Sequence, residues 1–288
     1  MGKKRILITG MSGFLGSTLE RVLKDEGYDV FGFDADISDT EAVENYNVGT
    51  EKVDWIIHAA AIVNVDTCEK DKPLCYRVNV EGTKNIRDLA ERIGARILYT
   101  STIAVFSEKE GSHGEHDIPY PSNFYGLVKL LGEQAILEYS LGLVLRINLM
   151  GIHPMGSRGQ TLIEWVVDSI DGNKDIQLFS DIMVNPLSNW TVAEFIGKII
   201  DLNPKEKILH LGSSDIVSKA DIGKLVIKRF GGYKGNVKIV SADSVEGRVA
   251  RSKQMWIDTK YTQKKLNLTM PSVESEIEKI FKIYSHKT

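Results

Sequence analysis

The feature that constrains this chain most is a glycine-rich loop set between an apolar run and an amphipathic segment. Arg5 to Thr9 reads as a short buried strand. Gly16 to Glu26 reads as a helix with Leu15, Leu19, Val22 and Leu23 on one face. Gly10, Gly13 and Gly16 fall between the two in the spacing GxxGxxG. In a strand–loop–helix context Gly10 allows a tight turn, Gly13 lets backbone approach a pyrophosphate, and Gly16 lets the helix pack close to the strand. The helix start then offers free N–H groups and a positive dipole end to phosphates. The loop Gly10-Met11-Ser12-Gly13-Phe14-Leu15-Gly16 predicts a bound dinucleotide; a glycine-rich turn without a ligand is the plainer alternative. No GxxxxGK[ST] sequence occurs, which argues against a P-loop nucleotide triphosphatase.

Strand-like and helix-like segments alternate through the first half. Asp29 to Asp34, Asp54 to Ala59, Arg96 to Thr100 and Leu143 to Ile147 read as strands, and Asn79 to Ile93 and Tyr125 to Tyr139 as helices. That order implies βαβ units, and near-continuous apolar strands fit a sheet covered on both faces. The fold class expected is α/β, a Rossmann-type doubly wound parallel sheet with a smaller, mostly helical C-terminal lobe. After Asn148 the pattern is less regular. Gly156 to Gln160 reads as a mobile loop, Thr161 to Ile170, Thr191 to Leu202 and Ser218 to Phe230 as helices, and Lys207 to Leu211 as a strand. Residues 1–150 are expected to bind the dinucleotide and 151–288 mainly the substrate, with segments near 185–212 returning to the sheet.

Composition narrows the function. A net charge of −3 lacks the basic excess of a nucleic-acid or anionic-membrane binder. The apolar run after the basic N-terminus is only Ile6-Leu7-Ile8, too short for a signal-peptide core, and no stretch reaches transmembrane length. Cys68 and Cys75 form no CxxC pair and read as free thiols of a reducing cytoplasm. His113 and His116 flank Gly114-Glu115 in a turn-rich stretch and read as solvated side chains, so no metal site is expected.

The catalytic candidates follow in order. Asp34, at the end of the second strand, stands near the position where a carboxylate binds the adenosine ribose and repels a 2′-phosphate; with Asp36 and Asp39 so close, a loop or cap role is the alternative. Tyr125 and Lys129 lie four residues apart, on one face of a helix. An ammonium near a phenol should lower the tyrosine pKa towards working pH and suit it to acid–base work. Thr102 follows a strand and should lie at the sheet's C-terminal edge, placed to orient a substrate carbonyl. Trp165 is either a stacking platform or core. Arg251 is either a diphosphate ligand or a surface ion pair. His58, at a strand end, is expected to pack near the cofactor without doing chemistry.

With these pieces in place the chain resembles the extended short-chain dehydrogenase/reductase family. The resemblance rests on Gly10 to Gly16, His58-Ala59-Ala60-Ala61, Val78-Asn79-Val80-Glu81-Gly82-Thr83, Ser101-Thr102, and Tyr125 to Lys129 followed by Gly132-Glu133. Within the family it is most similar to the dTDP-4-dehydrorhamnose reductase group, through Ala59 to Asp66, Ser101 to Phe106, Asp36-Ile37-Ser38-Asp39, Arg251-Ser252 and Ile257 to Lys260. The resemblance implies an NADPH- or NADH-dependent reductase of a nucleotide-linked 4-keto-6-deoxy sugar, monomeric or homodimeric. It implies that Tyr125 supplies the proton, that Lys129 lowers the tyrosine pKa and holds the cofactor ribose, and that Thr102 positions the keto oxygen. Asn79 is either a holder of the water network at Lys129 or a helix cap. Cofactor contacts fall on Gly10, Ser12, Gly13, Phe14, Leu15, Gly16, Asp34, Asp36, Ile37, Ala59, Ala60 and Ala61. Substrate contacts fall on Val63, Asn148, Trp165 and Arg251. Asn148 belongs to Arg146-Ile147-Asn148-Leu149-Met150-Gly151, similar to an Arg-x-x-Asn-x-x-Gly segment of sugar epimerases and dehydratases.

The pattern departs from the group at Ile103-Ala104, where Asp-Tyr is usual, and at Ser252, where proline is usual. Two other functions fit parts of the sequence: an epimerase or dehydratase that retains its NAD, and a non-catalytic regulatory subunit that binds dinucleotide. Ile103 and Ala104 count against the dehydratase, and the intact Thr102, Tyr125 and Lys129 against the regulatory subunit.

Overall fold

A computed structural model describes residues 3–107, 112–153, 160–245 and 252–285. Arg251 and residues 156–159 of the expected loop lie outside them. Six parallel strands form the main sheet: β1 (Arg5–Thr9), β2 (Asp29–Phe33), β3 (Trp55–His58), β4 (Arg96–Thr102), β5 (Gly142–Ile147) and β6 (Ile208–Leu211), in the order β2-β1-β3-β4-β5-β6. The chain leaves β1 in one direction and returns on its other side as β3, so the crevice at their C-terminal ends is the topological switch point.

The strands are apolar throughout because both faces are covered. Ile6, Ile8, Ile57, Leu98 and Leu145 pack under the helices Gly16–Asp25 and Asn189–Leu202. The alternate residues Leu7, Ile56, Ile97 and Val144 pack under Gly82–Ile93 and Phe124–Glu138. The switch of face at every residue is the period of an extended strand.

A second core lies in the C-terminal half. It is built from the helices Leu162–Asp171, Lys219–Phe230 and Val273–Ser285, with two small sheets. One sheet pairs Ile176–Phe179 with Val237–Val240; the other joins Met183–Val184, Val217–Ser218 and Gln254–Met255. The strand β6 and the helix Asn189–Leu202 belong to the main sheet and its cover.

Two expectations are corrected. Cys68 and Cys75 are joined as a disulfide, with Cα atoms 5.3 Å apart. An unbroken helix would hold them about 10.5 Å apart. The chain instead ends one short helix at Lys70 and starts another at Lys72, with Asp71 capping the Leu74 N–H, and the break folds the two cysteines together. His113 is buried, not solvated: its ring stacks on Phe106 with centroids 4.3 Å apart. His116 is exposed.

Candidate active site

Register brings the motifs together. Thr9 is the neighbour of both Phe33 and His58, so Gly10, Asp34 and Ala59 emerge side by side at the sheet edge. Gly10 has φ +69, and Gly13 N–H donates to its carbonyl at 2.9 Å, closing the turn. A Cβ on Gly16 would stand 2.1 Å from the Gly10 carbonyl oxygen, so only glycine lets the helix start this close to the loop. The helix Gly16–Asp25 has no side-chain cap and no acidic residue in its first turn. The Ser17 N–H is taken by the Gly13 carbonyl at 3.1 Å, so an anion would meet the N–H groups ahead of it, which no side chain caps.

Two cavities meet across this loop, sharing Gly10 and Ala61. One, of about 590 Å³, is lined by Ser12, Asp34, Asp36, Ile37 and Ala60 among others, with no lysine or arginine among the described residues. Asp36 also accepts from the Ser38 amide and hydroxyl at 2.8 and 2.9 Å, as a turn residue does, and Asp39 caps the helix Thr40–Glu44. Asp34 has neither duty and lies beside Tyr46. The other cavity, of about 490 Å³, is lined by Gly13, Phe14, Leu15, Gly16, Ala59, Val63, Thr102, Tyr125, Lys129 and Asn148. A dinucleotide fits this arrangement: a donor-rich loop between two hollows, an acid at one end and Tyr125 at the other.

The helix Phe124–Glu138 carries the reactive pair. Asn123 caps it by accepting from the Gly126 N–H at 2.9 Å, and Glu69 accepts from the Phe124 N–H at 2.7 Å. Burial pushes the Tyr125 phenol up to about 12, against a lowering hydrogen bond with Thr102. Burial pulls Lys129 down to about 7, and Glu133 opposes that fall. Lys129 is not among the groups that shift the phenol in this state. Its Nζ donates to the Thr100 carbonyl at 2.8 Å and stands 4.0 Å from the Tyr99 ring centroid. The phenol is therefore a stored acid at neutral pH, not a poised phenolate. The Thr102 hydroxyl accepts from the Ala104 N–H at 3.1 Å, which caps the turn Ile103–Val105.

Trp165 and Asn79 fall elsewhere. Trp165 does not line the cleft among the described residues; it packs on the second core, as one apolar residue of an amphipathic helix. Asn79 neither caps a helix nor reaches Lys129. Its side chain clamps Ile62, accepting from the amide at 2.8 Å and donating to the carbonyl at 2.9 Å. His58 is fully buried between the hydroxyls of Thr9 and Thr83 and is held down to about 3 by burial and by the Lys129 charge. Asn148 donates to the Met255 carbonyl at 3.0 Å, tying the second lobe to the cleft.

Sequence reasoning missed His153 and Glu164. His153 lines the cleft, its ring 4.7 Å from that of Phe14, and its amide and Nδ1 donate to Glu164 at 2.6 and 2.8 Å. Glu164 was readable only as the partner of Thr161 in a capping box. No group of residues suited to a metal ion occurs among the described residues, and no helix among them is long and apolar enough to cross a membrane.

A sequence model of the RmlD substrate binding domain matches residues 4–286. The chain belongs to that family. A probable low-salt glycan biosynthesis reductase of Haloferax volcanii is 27% identical over 301 residues, covering 96% of this chain and 98% of the relative. The dTDP-4-dehydrorhamnose reductase of Mycobacterium tuberculosis is 27% identical over 250 residues, 83% of this chain and 80% of its own. The crystal structure of the dTDP-4-dehydrorhamnose reductase of Bacillus anthracis in complex with NADP superimposes with a TM-score of 0.88 at 28% identity, covering 98% of this chain and all of that one. The RmlD-family chain is thus dTDP-4-dehydrorhamnose reductase-like in sequence and in fold.

Proposed function

We propose that the chain is an NAD(P)H-dependent oxidoreductase that reduces the C4 keto group of a nucleotide-linked 4-keto-6-deoxy sugar. One observation carries this: Tyr125, Lys129 and Thr102 line the same cavity as the glycine loop. The cofactor, when bound, supplies the hydride that reduces C4. The uncapped helix start and the loop amides hold its phosphates. Asp34 takes the ribose hydroxyls at the far end. The Thr102 hydroxyl donates a hydrogen bond to the keto oxygen and orients it, keeping its own proton. Tyr125 gives its proton to the same oxygen as negative charge develops there. Lys129 holds the cofactor ribose and, as an ammonium, stabilises the phenolate left behind.

The lining of this cavity contains no aspartate or glutamate among the described residues. That favours a reductase over a dehydratase, which needs an acid beside the strand-end hydroxyl. The test is oxidation of NADH and NADPH with dTDP-4-dehydrorhamnose and a panel of related nucleotide-linked keto sugars. Stoichiometric cofactor oxidation supports the reading. Tightly retained NAD with no net consumption would replace it with an epimerase.

A further inference from the structure

Two polar side chains along one face of the helix Phe124–Glu138 grip successive residues of β4. Lys129 donates to the carbonyl of Thr100 at 2.8 Å, and Glu133 accepts from the Ser101 hydroxyl at 2.5 Å. Glu133 is fully buried, and its carboxylate also receives Nε and Nη2 of Arg146 at 2.9 and 2.7 Å. Arg146 is anchored in turn. Its Nη1 donates to Nε2 of His210 at 3.3 Å, and Nδ1 of His210 donates to the Asp258 carbonyl at 3.2 Å. That tautomer follows because burial beside Arg146 keeps His210 neutral.

Desolvation offsets much of the attraction in such a buried pair, so the pair by itself is weak evidence of a stabilising role. Its position suggests a use. Lys129 lies one helical turn from Glu133 and is itself buried. The other titratable groups facing it are His58 from β3, Tyr99 from β4 and Tyr125 from its own helix. All three are neutral near pH 7, since burial holds the histidine low and both phenols high. Glu133 is then the anion acting on Lys129 among the described residues.

We propose that Glu133 is a positioning residue: fixed by Arg146 and Ser101, its carboxylate keeps Lys129 an ammonium and holds the end of β4 against the catalytic helix. This deepens the proposed reductase and rests on that reading for its catalytic consequence. The charge on Lys129 itself does not depend on knowing the substrate. Loss of Glu133 leaves Arg146 buried without a partner, so the informative variant is the double Glu133→Gln/Arg146→Met, which removes the pair as a unit.

The measurement is the titration of Lys129 by its ¹³Cε chemical shift in lysine-labelled protein, with the signal assigned by its absence in Lys129→Arg. The expected midpoint falls by about one pH unit in the double variant and stays near the wild-type value in Glu133→Asp. The alkaline limb of kcat with dTDP-4-dehydrorhamnose should move with it. A purely structural Glu133 would lower Tm and leave the midpoint in place, which overturns the proposal. Should the double variant not fold, the wild type alone decides: a buried lysine without a counter-charge titrates at about 5–6, so a wild-type midpoint there overturns the proposal and a higher one supports it. Absence of turnover on every keto sugar would remove the reductase reading and leave the Lys129 result standing.

Discussion

Lys129 donates to the carbonyl of Thr100 at 2.8 Å although Tyr125 lies one helical turn away on the same face. The lysine thus braces the end of β4, and the phenol keeps its proton. Tyr125→Phe should lower kcat by about 10²–10⁴, the usual worth of a positioned general acid, while NADH still binds. Turnover of a confirmed substrate at the wild-type rate would remove Tyr125 from the mechanism.

The buried histidines predict how stability follows pH. His58 and His210 are held at about 3, below their usual value of 6.5. Between those values the unfolded chain binds protons that the folded chain refuses, so stability falls as pH drops from 6.5 towards 3. The slope is about 1.4 kcal/mol per pH unit for each histidine. Lys129, lowered to about 7 from 10.5, adds stability as pH rises across that higher window. Urea unfolding from pH 4 to pH 7 should give a slope reduced by one proton in His58→Gln.

The ribose end predicts a cofactor preference. Asp34 lines a cavity with no lysine or arginine among its described residues, so a 2′-phosphate there would meet a carboxylate without a balancing cation. NADH should bind at least about tenfold more tightly than NADPH, and Asp34→Ala should narrow the ratio by weakening NADH and relieving NADPH. Equal wild-type affinities, measured by fluorescence titration, would place the ribose elsewhere.

Much of this was legible because it is local. The glycine spacing, the apolar strands covered on both faces, and the four-residue step from Tyr125 to Lys129 each sit within one element and its flanks. What escaped depends on partners distant in sequence. Nothing near Glu133 shows that it meets Arg146 across the sheet, or that Asn79 turns to the backbone of Ile62. Trp165 was ambiguous because an aromatic on an amphipathic helix looks the same whether it faces a ligand or a core. The bond from Lys129 to the Thr100 carbonyl was not legible either, because spacing fixes the face a side chain shares, not the acceptor its end finds.

The cysteines give a prediction independent of catalysis. Cys68 and Cys75 share an apolar cluster with Tyr125 and Val128, and Cys75 Sγ lies 3.3 Å from the Asn79 side chain that clamps Ile62. With both joined, denatured but unreduced protein should show no reactive thiol, and reduction should release two. The bridge closes a short loop, so its entropic contribution is at the low end, about 2 kcal/mol. Reduction, or Cys68→Ala with Cys75→Ala, should therefore lower Tm by a few degrees rather than unfold the chain. Because the same cluster backs the catalytic helix, kcat should fall before the fold is lost, a decline that activity measured well below Tm would show. Two thiols titrating in the denatured, unreduced protein would mean that the pair is not joined.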